Sequence, residues 1–259
     1  MHLVCDSDKE MRGPVLVAAD PGTLDALGDK AAAVVKSVPD CVGVTVSVLD
    51  GERTAFTLLA SDSRLRMIDA AQYLSGGPAL TAASTGEDVD VPDVWSQQRW
   101  RLFAMAAAST GVQTSLSMVM GDGQRTIGSV NFFASQPETF FDQDAELAEF
   151  FTCTVESALI HADLSIPRFT RIQRGPETLP DVDMFRRASA IIAAAYHTST
   201  QHGMRQLRDA ARRAGTSQVA LAQLVITTDQ TKSHLRPAPQ SDRTSLLPAP
   251  RPDSPRRPA

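Results

Sequence analysis

Residues 114–133 read TSLSMVMGDGQRTIGSVNFF. Two runs of apolar, β-branched and small residues, Thr114 to Met120 and Thr126 to Phe133, flank Gly121-Asp122-Gly123. A glycine-rich loop that cradles phosphate joins a strand to a helix, whereas this one lies between two strands, so the stretch reads as a β-hairpin. Upstream, GVTVSVL (43–49) and residues 54–61 flank Asp50-Gly51 and read as a second hairpin. Between the hairpins lies DAAQYLSGGPALTA (69–82), a helix-forming run broken at Ser-Gly-Gly-Pro. A helix from Ala79 to Thr85, a short strand Val89–Val91 and an aromatic-rich helix around Arg99–Thr110 follow. Leu24, Leu27, Ala31, Val34 and Val35 recur at helical spacing and predict a helix from Pro21 to Val38. After the second hairpin, Asp142 is a good N-cap for a long helix to about Ser165, with a broad apolar stripe that includes Leu147, Phe150 and Phe151. Two hairpins with helices around them predict an α+β fold: an antiparallel sheet flanked by helices.

The chain of 259 residues, 42% hydrophobic and 21% charged, can bury a substantial core. It has no apolar run long enough to span a membrane, and its first residues lack a basic-then-apolar export signal. The expected compartment is the cytoplasm. Cys5, Cys41 and Cys153 lie far apart with no CxxC, so they read as buried or inert thiols. Residues 1–165 hold 10 Lys and Arg against 23 Asp and Glu, whereas residues 166–259 hold 15 against 7. An acidic front and a basic back suggest two units with different partners, and any polyanion belongs to the back. The expected organisation is a leader (1–19), an α+β domain (20–165), a linker (166–180), a helical domain (181–228) and a Pro-rich disordered tail (229–259). The last 31 residues carry seven prolines and few aliphatics.

The helical segment sorts by geometry at about 100° per residue. Gly203, Met204, Leu207, Ala210, Ala211 and Ala214 share one face, and Arg205, Arg208 and Arg212 another. Gly215 ends that helix, and Thr216 or Ser217 caps the next, whose apolar side is Val219, Leu221, Ala222, Leu224 and Val225. A small three-helix bundle follows, its alanine faces permitting close packing.

The ordered motifs of the front domain resemble those of the GAF sensor domains of actinobacterial regulators. The matching positions are Gln72, Tyr73, Gly77, Pro78, Pro92, Asp93, Trp100, Phe103, Gly128 and Asn131. Ala79 stands where that family often has Cys. The resemblance implies a sheet sandwiched by helices, with a small-molecule pocket on one sheet face under the middle loops. Gln72, Tyr73, Trp95, Trp100 and Phe103 are its candidate lining; the alternative is that these side chains only tie a loop and fill core. The back segment resembles an ANTAR domain, a three-helix RNA-binding antitermination module, through S-x-x-x-G-M-x-x-L-R-x-x-A (199–211) and L-A-x-x-V-I (221–226). Gly203-Met204 replaces the usual Ala-Phe, Ala211 replaces Ser, and the turn around Ala193–His197 is shortened. The resemblance implies binding of structured RNA hairpins through Arg186, Arg187, Arg205, Arg208, Arg212 and Arg213, since a guanidinium matches phosphate and stacks on unpaired bases.

No HExxH, GxSxG elbow or other catalytic or metal spacing is present, so no enzyme, cofactor or metal is expected. The sequence thus predicts a signal-responsive regulator, homodimeric through the long helix 142–165. The alternative is a sensor or dimerisation scaffold whose back domain binds protein.

Overall fold

A computed structural model of the chain describes residues 21–50, 54–121, 126–143, 147 and 179–234. The first helix, α1 (Pro21–Ser37), leads into strand β1 (Cys41–Leu49), and β2 (Ala55–Ala60) returns beside it. A one-turn 3-10 segment at Ser63–Leu65, capped by the Asp62 carboxylate, precedes α2 (Arg66–Ser75) and α3 (Pro78–Thr85). Then come β3 (Val89–Val91), α4 (Arg101–Ser109), β4 (Thr114–Gly121) and β5 (Thr126–Ala134). The strands form one antiparallel sheet in the order β2-β1-β5-β4-β3. The predicted α+β class holds, and helices cover both faces of the sheet, as the GAF resemblance implies.

The pleat sends alternate residues to opposite faces. Val44, Val46 and Val48 of β1, Leu116 and Met118 of β4, and Val130 and Phe132 of β5 share one face. There they bury Leu27, Ala31 and Val34 of α1 together with Phe140 and Leu147. The other face is lined by Thr45, Ser47, Thr57, Ser115, Ser117, Ser129 and Asn131, all buried. Helices α2 and α3 lie over it.

The break at Ser-Gly-Gly-Pro is a corner between α2 and α3. Gly76, at φ 84°, ends α2 in a conformation that favours glycine. At Gly77 a methyl group would sit 2.4 Å from the Gln72 side chain, so only glycine leaves that amide its place. Gln72 Oε1 then accepts the Ala79 N–H at 2.8 Å, which satisfies one of the orphan donors of α3. Asp142 adopts φ 61° rather than the extended backbone of an N-cap, and the rest of the predicted helix to Ser165, apart from Gln143 and Leu147, lies outside the described residues.

The back segment forms α5 (Leu179–Ala195), α6 (Thr200–Ala214) and α7 (Gln218–His234). Ser199 caps α6, and Gly215 ends it at φ 67°. The buried face of α6 is the predicted one: Gly203, Leu207, Ala210, Ala211 and Ala214, with Met204 half-buried. A methyl at Gly203 would lie 2.5 Å from the Ser189 carbonyl oxygen, so only glycine lets α5 and α6 approach this closely. Helix α7 continues to His234, six residues into the stretch assigned to the tail. The bundle packs directly on the front half: α6 lies against α2 and β2, and α7 against α4. Phe103, Ile68 and Leu65 share one hydrophobic cluster with Leu207, Leu221 and Phe185.

Candidate functional site

The polar face of the sheet is closed by α2. Asp69, fully buried, accepts the Thr45 hydroxyl at 3.1 Å and the Thr57 hydroxyl at 2.8 Å. The Tyr73 hydroxyl lies 2.9 Å from Thr57 Oγ1 and 3.0 Å from Ser47 Oγ. Asn131 Nδ2 donates to Thr45 Oγ1 at 3.2 Å and Ser47 Oγ at 3.3 Å. With Asp69 ionised, counting hydrogens fixes every direction. Each hydroxyl has one proton to give. Thr57 gives its proton to Asp69, so Tyr73 donates to Thr57 and Ser47 donates to Tyr73. The six side chains form a ring in which two chains of donation leave the Asn131 amide and converge on the Asp69 carboxylate.

Burial pushes Asp69 up from its ordinary 3.8 to about 7, against the two threonine hydrogen bonds and the Arg66 charge, which lower it. Burial also raises Tyr73, and the neighbouring Asp69 charge adds to this. The ring accommodates a proton on either oxygen of Asp69. On Oδ1 it is donated to Thr45, whose own proton turns elsewhere. On Oδ2 it is donated to Thr57, Thr57 donates to Tyr73 and Tyr73 to Ser47, and the Ser47 proton turns elsewhere. Ser129 stands directly opposite Ser47 in the register, and its Oγ has no hydrogen-bond partner among the described residues. Asn131 Oδ1 and Ser115 Oγ on the same face are also unpartnered. Such groups are costly when buried and mark a polar region rather than plain core.

The predicted pocket residues part company here. Gln72 caps α3, and Tyr73 belongs to the ring. Phe103 is fully buried core, and Trp100 packs edge-on against it with centroids 6.4 Å apart. Trp95, expected to line the pocket, is 66% exposed in a short 3-10 turn whose cap is the Asp93 carboxylate. The five do not converge on one cavity. Sequence reasoning missed Asp69, Thr45, Ser47 and Thr57, although polar residues at every second position of two otherwise apolar strands were the available signal.

The arginines divide in the same manner. Arg186, Arg187, Arg205, Arg208 and Arg212 are exposed on the bundle. Arg186 pairs with Asp183 at 3.2 Å, and Arg212 pairs with Asp209. The Arg208 guanidinium lies over the Phe185 ring, 5.0 Å from its centroid. Arg213, expected among the RNA contacts, is turned into the joint between the two halves. Its guanidinium donates to the Ala55 carbonyl at 2.9 Å, the Tyr73 carbonyl at 3.1 Å and Asp209 at 2.8 Å, and stacks over the Tyr73 ring. Arg66 Nη1 reaches back to the Ala214 carbonyl at 3.0 Å, and the Tyr196 hydroxyl to the Leu74 carbonyl at 3.4 Å. One residue step, about 100° of helix, separates the outward Arg212 from the inward Arg213.

No described helix is long and apolar enough to cross a membrane. The sequence matches no protein-family model and no curated protein. Among solved structures, the GAF domain of an Acinetobacter phosphoenolpyruvate-protein phosphotransferase is similar at 12% identity over 54% of this chain and 83% of that one, with a TM-score of 0.39. The type II free methionine-R-sulfoxide reductase of Thermoplasma acidophilum is similar at 11% identity over 54% and 94%, with a TM-score of 0.41. Escherichia coli SdiA is similar at 12% identity over 80% and 90%, with a TM-score of 0.39.

Proposed function

We propose that this chain is a cytoplasmic regulator in which a GAF-type sensor half governs a bundle that binds structured RNA. The observation that carries the reading is the division of the arginines. Five point to solvent from the bundle, while the sixth, Arg213, is bound to α2 of the sensor half. Exposed guanidinium groups on a rigid helical surface release counterions from a nucleic-acid backbone. Helix α2 supplies the link between the halves: its Asp69 and Tyr73 side chains read the polar sheet face, and its backbone and Tyr73 ring hold Arg213. A signal that alters the ring under α2, such as a small polar ligand, thereby reaches the bundle. The apolar stripe predicted for residues 142–165 is the proposed homodimer contact, and sedimentation as a monomer at tens of micromolar would remove it.

The test is a titration of labelled hairpin RNA at two salt concentrations. The reading expects affinity that falls as salt rises, and loss in Arg187→Ala and Arg205→Ala. An absence of binding in dilute buffer would favour the scaffold that binds protein. The ion pairs Arg186–Asp183 and Arg212–Asp209 favour that second reading, because they neutralise two of the five exposed cations.

A further inference from the structure

Where the first turns of α5 and α7 meet the middle of α6, the bundle surface is hollowed. Val182, Phe185, Met204 and Val219 line an apolar floor, Arg186 and Arg208 stand at the rim, and the hollow holds about 100 Å³. The Arg208 guanidinium lies over the Phe185 ring beside the floor, 5.0 Å from its centroid. The start of α7 adds donors. Ser217 Oγ accepts the Ala220 N–H at 3.3 Å, and the Ser217 carbonyl accepts the Leu221 N–H at 3.1 Å. The N–H groups of Gln218 and Val219 are those a helix start leaves for outside acceptors, in the positive potential of the helix dipole. Gln218 itself borders the hollow.

An apolar floor, a guanidinium beside an aromatic ring and the N–H donors of a helix start complement a group that is planar and apolar on one side and anionic on the other. An unstacked nucleotide has that form, and stacking on aromatic and arginine surfaces is how unpaired bases are held. The hollow has room for one ring system. An amphipathic peptide helix needs a trough long enough for anchors at i, i+3, i+4 and i+7. We infer that the hollow takes a single unstacked nucleotide, its base against the apolar floor and Arg208, its phosphate on the first turn of α7. The nucleotide is either an unpaired position of an RNA hairpin, which rests on the function proposed above, or a free mononucleotide, which does not.

The full chain is titrated with a labelled RNA hairpin, with versions in which each unpaired loop base in turn is replaced by an abasic site, and with free mononucleotides by calorimetry. Two variants are compared, Arg208→Met and Gln218→Glu. The second places an acid in the first turn of a helix, which supports the helix while repelling phosphate, so lost binding there is not lost folding. Removal of one particular base should weaken RNA binding about tenfold, the scale of one stacked base. Gln218→Glu should cost a similar factor, and the two losses should not multiply. RNA that binds equally well with every abasic site and in both variants overturns the nucleotide site and leaves the arginine reading standing. A mononucleotide that binds the wild type and not Gln218→Glu, with no RNA binding, upholds the site and removes the RNA reading. Failure of every ligand, or binding of an acidic helical peptide with the same loss in Gln218→Glu, overturns the site.

Discussion

Both faces of the sheet are buried, yet they are held by different physics. Under α1, Val44, Val46, Val48, Phe132 and Leu27 contribute by apolar area alone, a term without direction. Under α2, Asp69, Tyr73, Thr45, Ser47, Thr57 and Asn131 contribute by an ordered set of directional donations. The first face responds to lost volume and is indifferent to pH between 5 and 8, since its one shifted group among the described residues, the Cys41 thiol, is pushed up to about 11 by burial. The second responds to a single proton or hydroxyl.

Four measurements test that contrast. Phe132→Ala on the apolar face should cost about 3–5 kcal/mol in denaturant unfolding, by the same amount at pH 5 and pH 8. On the polar face, Asp69→Asn should change the pH dependence. The folded state holds the Asp69 proton up to about pH 7, whereas the unfolded chain releases it near 3.8. Between those values the folded state binds more protons, so this group's contribution to stability falls as pH rises through the window and is flat above it. Stability measured from pH 4 to 8 should carry that downward component in the wild type and lack it in Asp69→Asn; identical profiles would contradict the ring. Tyr73→Phe keeps the aromatic contact with Arg213 and deletes one hydroxyl, which should cost about 1–2 kcal/mol by stranding Ser47 and Thr57. Arg213→Met acts from outside the ring and should cost about 1 kcal/mol. Its distinguishing effect is faster amide exchange in both α2 and α6, with the amides of α1 unchanged.

Much of the architecture was legible. The strands announced themselves through alternating Val and Thr, and Asp50-Gly51 and Gly121-Asp122-Gly123 separated the pairs. The inward face of α6 followed from helical spacing because alanine and glycine there have no other use. The polar ring was harder to read. Serine and threonine in a strand usually signal a wet face, and only α2 packed above them turns them into buried partners of a carboxylate. The joint was not legible either. Arg205 and Arg213 are alike in sequence, and they differ because the side of α6 that carries Arg213 meets the end of α2 and the start of β2. Trp95, a candidate lining residue on the GAF resemblance, stands 66% exposed in a 3-10 turn capped by Asp93, a placement that its residue type does not announce.

The glycine at position 203 sets a limit on change in the rear half. The Ser189 carbonyl of α5 would lie 2.5 Å from any Cβ at this position, so every larger residue must push α5 and α6 apart. At this contact the two helices meet backbone to backbone, with no side chain between them to yield.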